Sequence, residues 1–505
     1  MHMSFSTELA GFTSSFRQAP PALANHLLMK EFNSTGHFWL PGADAKVVWG
    51  KLRYEPGGAT SLMLDGNLSP DDPYSIHIDV PEIHGRLFNG APCVLRGVWG
   101  GIETFLGEEE RFRTRLYARQ FLFGLDPKAP DRFRGIAITF SHLNDWFERP
   151  IQLEYQKEEP HDCHVHFSPA KQEASSTFRD RPFKLDVFCV RTMPFGPDSE
   201  KLEFTYQYRV DIVPEEPQTL EWHLALASLV RDLFIFLVGT GVYTLELQAF
   251  AGEEFYKRGV RIFPHVAVPA LVRLDPHYFY STNAKIGAQF EALLRAWLEN
   301  ADKLSVIRNT ISDLLTIDGT SPQAVFTRVV QTLEHFHGLV FPGEHRYVPR
   351  STWRGFVKWL GQNFPSCWEG ASKEQTASLL AATAPLIGRI GGINSLSFRS
   401  RIRSLFEAVP ANELMPMIDN PLDSSSFLDE FLPRLEATRN YLTHFSPELR
   451  SRAFIGAELE AATLRCWSVL VFTVARFLGL PNELAGDLGI AARKTLFLVR
   501  TDAQL

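Results

Sequence analysis

The chain has 505 residues, of which 45% are hydrophobic and 22% charged, and its formal net charge is -7. This length predicts two or three domains with substantial cores, and the composition excludes fibrous and disordered proteins. The acidic balance argues against a protein that coats nucleic acid through bulk electrostatics, which needs clustered Lys and Arg. The five cysteines are scattered and form no CxxC pair, so the sequence predicts neither a disulfide framework nor a zinc ribbon.

Targeting and membrane segments are not predicted. Residues 1–6 lack the charged region and apolar core of a signal peptide. The most apolar windows, 233–247 and 466–480, are interrupted by glycine and by charged residues, and they fall short of about 18 uninterrupted apolar residues. The sequence therefore predicts a protein of the reducing cytoplasm with no membrane partner.

Residues 36 to 263 have the pattern of an antiparallel β-rich region. Short β-branched and aromatic runs alternate with turn signals such as Pro56-Gly57-Gly58 and Asp65-Gly66, about every 8 to 12 residues. The predicted strands are 46–54, 60–64, 75–80, 85–88, 93–98, 112–123, 135–140, 184–190 and 202–212. Leucines near helical spacing over 218–238 predict one helix packed on the sheet, and 242–249 returns as a strand.

After about Tyr280 the pattern becomes helical. A cap signal at Thr320-Ser321-Pro322 opens one of the helices. The predicted helices are 285–317, 322–336, 353–363, 373–389, 397–408, 427–444, 448–478 and 483–488. The predicted fold class is therefore α+β and multidomain, with a β-rich region over 1–280 and an all-α region over 281–505.

The stretch Arg439-Asn440-Tyr441-Leu442-Thr443-His444 combines a permanent cation, an amide and a titratable imidazole. The helix that carries it should end at about His444, because Ser446-Pro447-Glu448 is a helix start. Asn440 and His444 are four residues apart and share a helix face, and Arg439 has the reach to join them. A helix end favours the protonated form of His444, which suits acid and base chemistry, and the planar fork of Arg439 suits a phosphate.

Spacing alone does not single this stretch out. Arg258 with His265 and Arg328 with His335 have similar separations. The alternative interpretation of Arg439 and His444 is a helix-end arginine and a capping histidine.

Two sets of residues resemble a known family. Arg439 to His444 resembles the signature of HEPN ribonucleases, in which an arginine and a polar residue precede a histidine on a helix. The runs GHFWLPG at 36–42, VVWGKLRYEPGG at 47–58 and LMLDG at 62–66 resemble the β-rich N-terminal domain of ApeA-type abortive-infection proteins, whose C-terminal domain is HEPN. The resemblance implies a sensory or regulatory role for the β-rich region and a HEPN helical bundle within 281–505.

That resemblance implies a metal-independent endoribonuclease of anti-phage defence, with no cofactor, that cuts RNA by 2′-hydroxyl attack and leaves a 2′,3′-cyclic phosphate. His444 would be the general acid or base, Arg439 would stabilise the phosphorane, and Asn440 would position them. Glu436 is either a helper or a solvated helix residue. One histidine cannot readily serve both oxygens, so a homodimer with a composite site is expected, with RNA as substrate and a phage-derived trigger as a further partner.

The alternative function is a non-catalytic HEPN-like dimerising protein whose β-rich region binds a ligand or a protein partner. The acidic net charge and the lack of an obvious basic channel in the sequence favour it.

Three further motifs have a structural and a functional interpretation. If His161 to His166 form a strand, His164 and His166 share a face as a metal pair does, although a polar strand or loop is the first interpretation. Glu334 to His337, with Arg328, either line the groove of the main motif or pack in the core. In the run from Glu108 to Arg115, three arginines (Arg111, Arg113 and Arg115) occupy alternate positions. This alternation predicts the solvated face of a strand, and a nucleic-acid contact is the less favoured interpretation.

Overall fold

In the computed structural model the chain divides into two units, with the boundary between residues 299 and 300. Its described residues run from 28 to 496, with gaps at 29, 44, 69–76, 107–110, 130, 148–149, 156–162, 193–204, 252–258, 266–274, 317–319, 342–345, 347, 364–369, 371, 381, 383–395 and 419–423. The first unit is β-rich and the second is helical. The predicted fold class, an antiparallel β-rich region with a packed helix followed by an all-α region, is confirmed.

The β-rich unit begins with a closed ring of strands. They are β1 (Phe32–Trp39), β2 (Val48–Tyr54), β3 (Thr60–Leu64), β4 (Ile78–Leu87), β5 (Pro92–Leu106) and β6 (Arg111–Phe123). Antiparallel pairing runs in the order β6-β3-β2-β1-β4-β5, and β5 pairs with β6, which closes the ring. Every second residue of β2 from Gly50 to Tyr54 is buried, so the ring has an apolar interior and a polar outer face.

Gly36, the first residue of the GHFWLPG run, lies where three strands of the ring approach closely. It pairs with Gly50 of β2 on one side and with Leu87 of β4 on the other. A Cβ atom at Gly36 would lie 2.5 Å from the carbonyl oxygen of Arg86 and 2.9 Å from the Cα atom of Leu87. Those are backbone atoms of a paired strand and cannot move aside, so this position requires glycine.

Further strands extend the ring into a larger sheet. They are β7 (Gly135–Phe140), β8 (Ile151–Tyr155), β9 (Cys163–Phe167), β10 (Gln172–Phe178), β11 (Arg181–Thr192), β12 (Thr205–Pro214), β13 (Thr244–Phe250) and β14 (Val260–Pro264). β14 pairs with β6, and the sheet continues through β13, β7, β12, β11 and β10. The hairpin of β8 and β9 is separate from it.

A short helix, α1 (Leu143–Trp146), follows β7, and the predicted single helix is α2 (Leu220–Val238). The Thr219 side chain caps α2 by accepting from the Trp222 amide, and Gly239, with φ of 78°, ends it. His223 is fully buried in α2, where its Nε2 donates to the Phe133 carbonyl at 3.1 Å. Burial lowers the pKa of His223 to about 4, so the imidazole is neutral in the folded protein.

The helices α3 (Asn283–Ile286) and α4 (Phe290–Glu299) belong to the β-rich unit. α4 contacts β10 and α2, and its Trp297 Nε1 donates to the Leu229 carbonyl at 2.9 Å. The two units of the structure therefore meet between residues 299 and 300. The change in sequence pattern predicts a domain boundary between residues 280 and 281, and that domain boundary stays a prediction.

The helical unit extends from α5 to α13. Its helices are α5 (Ser305–Thr316), α6 (Pro322–Val340), α7 (Arg350–Asn363), α8 (373–380), α9 (Phe398–Glu407), α10 (Ala411–Ile418), α11 (Ser424–His444), α12 (Ala457–Phe477) and α13 (Asn482–Thr495). The predicted cap is confirmed, since the Ser321 side chain accepts from the Ala324 amide and Pro322 is the first residue of α6.

Two long helices predicted from periodicity are shorter in the structure. The prediction over 448–478 is wrong at its start, because Pro447–Arg452 form a 3₁₀ helix and Gly456, with φ of 58°, separates it from α12. The prediction over 285–317 is wrong in its continuity, because a turn over 300–304 separates α4 from α5. Asn300 and Asp302 favour such a turn.

α12 is the central helix of this unit and packs against α6 and α13. Its residues from Cys466 to Ala475 are all buried, including the fully enclosed Trp467. Within the described parts of the chain, no helix is both long and apolar enough to cross a membrane.

Candidate functional site

The motif lies at the C-terminal end of α11, as predicted. α11 buries Leu428, Phe431 and Leu435, which were predicted to be apolar contributors, whereas Leu442 is only half-buried. The helix ends at His444, and Ser446 and Pro447 begin the following 3₁₀ helix. The local signals therefore place His444 on the last turn of a helix.

Phe445 reverses the chain immediately after His444. Its φ is 52°, and its amide donates to the Tyr441 carbonyl at 2.9 Å, which closes the helix end. A bulky residue in this left-handed region is unusual, because glycine or asparagine fits it with less strain. The Phe445 side chain is 80% exposed, so an aromatic ring stands in solvent beside the exposed His444.

Thr438 fixes α11 to the segment that leads into α12. Its hydroxyl donates to the Arg434 carbonyl at 2.7 Å and accepts from the Phe454 amide at 2.8 Å, and the side chain is fully buried. Arg434 strengthens the same connection, with its guanidinium 4.3 Å from the Phe454 ring centroid. The backbone just before Arg439 is thereby fixed on the core.

Arg439 points toward α6 and not toward His444. Its Nη2 lies 3.6 Å from Glu334 Oε2, and its Nη1 donates to Asn440 Oδ1 at 3.1 Å. The guanidinium also lies 5.9 Å from the centroid of the Phe398 ring, at the start of α9. The amide of Asn440 and the carboxylate of Glu334 therefore orient the Arg439 fork.

Glu334 bridges two arginines. Its Oε1 lies 2.6 Å from Arg401 Nη2 of α9, whereas Arg439 contacts the other carboxylate oxygen, Oε2. The Glu334 side chain is only 12% exposed, and the Arg401 and Arg439 side chains are 29% and 32% exposed. Three helices, α6, α9 and α11, thus bring one carboxylate and two planar cationic groups together at the surface.

A shallow, open depression of about 560 Å³ adjoins this bridge. It is lined by Gln331, Glu334, His335, Gly338 and Arg401. Gly338 leaves space that a side chain would take, since a Cβ atom there would meet nothing within 4 Å. An anion entering the depression would meet the donors of Arg401 and the exposed imidazole of His335.

The predicted site residues are only partly together. Arg439 and Asn440 are in direct contact, whereas His444 has no hydrogen bond or ion pair to either of them among the described contacts. Glu436 is engaged elsewhere, because its Oε2 accepts from Arg399 Nε of α9 at 2.5 Å. His444 therefore presents an exposed imidazole one helical turn beyond the Arg439–Asn440 pair.

Sequence reasoning did not identify Arg401. It lies among three arginines at alternate positions of α9, and its neighbours pair with other carboxylates: Arg399 with Glu436 at 2.5 Å and Arg403 with Asp429 at 2.6 Å. Nothing local distinguishes Arg401, because its partner Glu334 is remote in sequence.

Of the two interpretations of Glu334 to His337, groove lining and core packing, each applies to two of the four residues. Glu334 and His335 line the depression, whereas Phe336 and His337 are buried. Arg328 faces another part of the surface, where it pairs with Asp313 of α5 at 3.3 Å.

The remaining candidates lie partly outside the described residues. His161 and the side chain of His164 are outside them, whereas Cys163–Phe167 form β9 and His166 is exposed. Glu108 to Glu110 and the side chain of Arg111 are also outside them, and Arg113 and Arg115 lie on β6. Among the described residues, no group of three or more His, Cys, Asp and Glu side chains is placed to hold a metal ion.

Comparison with known protein families gives two matches. Residues 33–297, just over half of the chain, match the family described as ApeA N-terminal domain 1, and residues 328–484 match the family described as Apea-like HEPN. The second match contains Glu334, Arg401 and the whole Arg439–His444 stretch. The family resemblance expected from residues 36–66 and 439–444 is confirmed. No curated protein and no solved structure matches the chain.

Proposed function

This chain belongs to the ApeA family, and on that premise we propose that it is an endoribonuclease of anti-phage defence whose cleavage site includes Arg439, Asn440 and His444. HEPN domains are generally associated with ribonucleases, and the Apea-like HEPN match contains all three residues. The observation that carries the proposal is the pair of guanidinium groups, Arg439 and Arg401, held on the single carboxylate of Glu334. Two planar guanidinium groups held beside one carboxylate suit the oxygens of a phosphodiester.

The proposed reaction is an internal transesterification of RNA. The 2′-oxygen attacks the adjacent phosphorus as a base removes its proton, and the 5′-oxygen of the next nucleotide leaves as an acid protonates it. The products are a 2′,3′-cyclic phosphate and a 5′-hydroxyl. No metal or cofactor takes part in the proposed step, because side chains supply the proton transfers and the charge stabilisation.

The side chains divide this work. His444, exposed at the helix end, transfers a proton. Arg439 donates to the oxygens that gain charge in the phosphorane, and Asn440 holds its fork in place at 3.1 Å. Arg401 is the second donor to the phosphate, and Glu334 fixes the spacing of the two arginines until the substrate competes for them. The proposal gives Glu436 no direct part in the reaction, since its carboxylate is paired with Arg399.

We further propose that the active form is a homodimer with a composite site. One imidazole cannot serve the attacking and the leaving oxygen at opposite sides of phosphorus, and a two-fold axis would bring a second His444. The exposure of both His444 and Phe445 supports this proposal, since an aromatic ring in solvent beside the motif suits burial in an interface.

The test uses the 3′ ends of RNA incubated with the purified full chain. A 2′,3′-cyclic phosphate with the parent protein, and intact RNA with His444→Ala, are expected. His277→Ala is the matched control, because His277 is an exposed histidine of the β-rich unit. An unimpaired His444→Ala variant would refute the assignment, and a loss in His335→Ala equal to that in His444→Ala would place the acid and the base within one chain.

Mixing experiments test the composite site. An excess of His444→Ala protein mixed with the parent should lower the cleavage rate per parent chain, because a mixed dimer has only one imidazole in its shared site. An unchanged rate per parent chain together with proven subunit exchange would contradict the dimer. Chelator is expected to leave the parent rate unchanged, and a strict requirement for a divalent ion would contradict the proposed mechanism.

The β-rich unit is proposed to sense a phage-derived trigger and to restrain cleavage in the cytoplasm. A second candidate function is a non-catalytic dimerising protein whose β-rich unit binds a ligand or partner. The observation that favours it is that Glu334 already occupies donors of both arginines. This second candidate function predicts intact RNA with every variant and under every condition, including in the presence of lysate from infected cells.

A further inference from the structure

The outer face of the six-stranded ring carries a row of basic and aromatic residues along β6. Arg113, Arg115, Tyr117 and Arg119 occupy alternate positions of the strand, so their side chains share one face. The residues between them, Thr114, Leu116 and Ala118, are buried, which makes this the solvent face. We call these four outward residues the β6 stripe; it is about 20 Å long at the usual rise of an extended strand.

Aromatic rings gather at the middle of the stripe. Trp99 of β5 pairs across from Tyr117, and their rings are stacked with centroids 6.0 Å apart and planes at 29°. His265, which follows β14, lies 6.3 Å from the Trp99 ring, and its amide donates to the Arg119 carbonyl at 2.8 Å. Trp99 and Tyr117 are only half-buried and His265 is exposed, so the rings remain accessible among the described residues.

The arginines of the stripe flank these rings. Arg119 is exposed, and its side-chain stem lies over Gly97, where a Cβ atom would be 3.0 Å from Arg119 Cδ. Arg113 is also exposed, and its contact with Asp65 is long, at 3.9 Å, between side chains that are both more than half exposed. Such a pair is worth little in water, so Asp65 does not prevent Arg113 from meeting another anion.

This combination fits the chemistry of single-stranded nucleic acid. A positively charged track binds the phosphates, and aromatic faces stack on unpaired bases without reading their sequence. A duplex hides its base faces, and an acidic peptide would use the arginines but leave the Trp99–Tyr117 pair without a matching group. The phosphate and the flat base together account for both kinds of side chain in the stripe.

We infer that the β6 stripe, with Trp99 and His265, is a binding site for single-stranded nucleic acid in the β-rich unit, separate from the cleavage site. The acidic net charge does not oppose this inference, because the site is local. Binding at the stripe would give the ApeA-type unit its own contact with nucleic acid, independent of cleavage.

The test measures binding in a His444→Ala/Arg439→Ala background of the full chain, so that neither cleavage nor the proposed phosphate contact of Arg439 contributes. The probes are fluorescein-labelled 15-mers of oligo-U RNA and oligo-dT DNA, and a duplex of mixed sequence, followed by fluorescence anisotropy. Binding of one or both single strands, more tightly than of the duplex, is expected, and the comparison of RNA with DNA identifies the natural class.

Substitutions in the stripe should weaken that binding. Tyr117→Ala should lower the affinity roughly 5- to 100-fold through lost stacking. Arg113→Ala/Arg119→Ala should reduce the salt dependence, with the slope of log affinity against log salt falling by about 1.4 for two lost phosphate contacts. The matched controls are Tyr278→Ala and Arg181→Ala, which change an exposed tyrosine and an exposed, ion-paired arginine elsewhere in the same unit.

Thermal melting of each variant checks that the fold is kept. Unchanged affinity in both stripe variants, or equal losses in the controls, would overturn the inference and leave a protein as the occupant to consider. Because cleavage is silenced throughout, failure of this test is independent of whether the proposed ribonuclease activity is found.

Discussion

The hydroxyl of Thr438 is predicted to hold in place the end of α11 that carries residues 439–444. The perturbation is Thr438→Val, which keeps the shape of the side chain and removes only its hydrogen-bonding capacity. The Phe454 amide then loses its acceptor in a buried environment. The Arg434 carbonyl loses a donor as well, but it also belongs to the helical hydrogen-bond ladder, so its loss contributes less.

The magnitude follows from the orphaned amide. Leaving one buried donor unsatisfied costs about 1 to 3 kcal/mol, whereas the exchange of hydroxyl for methyl at constant volume adds little. If the segment opens locally, the Phe454 amide should exchange with solvent roughly 5- to 150-fold faster, since 1.4 kcal/mol corresponds to a factor of ten. The RNA cleavage rate should fall as well, because Arg439 is the next residue.

The assay is hydrogen exchange followed by mass spectrometry of peptides that span 446–457, combined with thermal melting. Thr443→Val is the matched control, because Thr443 is exposed on the same helix, and its substitution should change stability by less than about 0.5 kcal/mol. Thr438→Ser keeps the hydroxyl and should restore slow exchange. Equal exchange rates for Thr438→Val and Thr443→Val would refute the proposed role of the Thr438 hydroxyl.

Other predictions concern the site, the pH dependence and the ring. Arg401→Ala should lower the cleavage rate about 10²- to 10³-fold, whereas Arg403→Ala on the same helix, which loses contacts with Asp429 and Glu407, should stay within about twofold; equal rates would exclude Arg401 from the site. The pKa of His223 is about 4 in the folded protein and about 6.5 in an unfolded chain. The unfolded state therefore binds more protons between these two pH values, and the free energy of unfolding should fall by about 3 kcal/mol as the pH drops from about 6.5 to 4. Urea unfolding should show this loss in the parent and less of it in His223→Gln, and identical pH profiles would contradict the assignment. Gly36→Ala should destabilise the β-rich unit by more than about 2 kcal/mol, because the new Cβ atom would overlap backbone atoms of β4. Gly58→Ala is the control: its Cβ atom would have ordinary contacts at 3.4 Å, so this variant should melt close to the parent temperature.

The features that were predictable from sequence are those whose causes are local. The end of α11 at His444 follows from the neighbouring Ser446 and Pro447, and the start of α6 follows from Ser321 and Pro322. Alternation of apolar residues identified most strands of the ring for the same reason. Even so, the predicted strands 75–80 and 85–88 are joined in the single strand β4 over residues 78–87, because the pairing with β1 and β5 continues through the residues between them; residues 75 and 76 lie outside the described part of the chain.

Features that depend on remote pairing were not predictable. Closure of the ring requires β3 and β5 to pair with the two edges of β6, and no local pattern encodes which strands meet. The site has the same limitation. Arg399, Arg401 and Arg403 are indistinguishable in sequence, and only the positions of Glu436, Glu334 and Asp429 in the folded helices separate their roles.

The continuity of the ring along the chain has a consequence for synthesis. All of its strands come from residues 32–123, and the sheet extension is complete at residue 264, well before the helical unit begins at residue 300. Because domains generally fold as units and N-terminal ones first, the β-rich unit should be folded on the ribosome before residues 439–444 are made. The order of translation would then protect the cell that makes the protein, since the proposed restraint precedes the proposed nuclease.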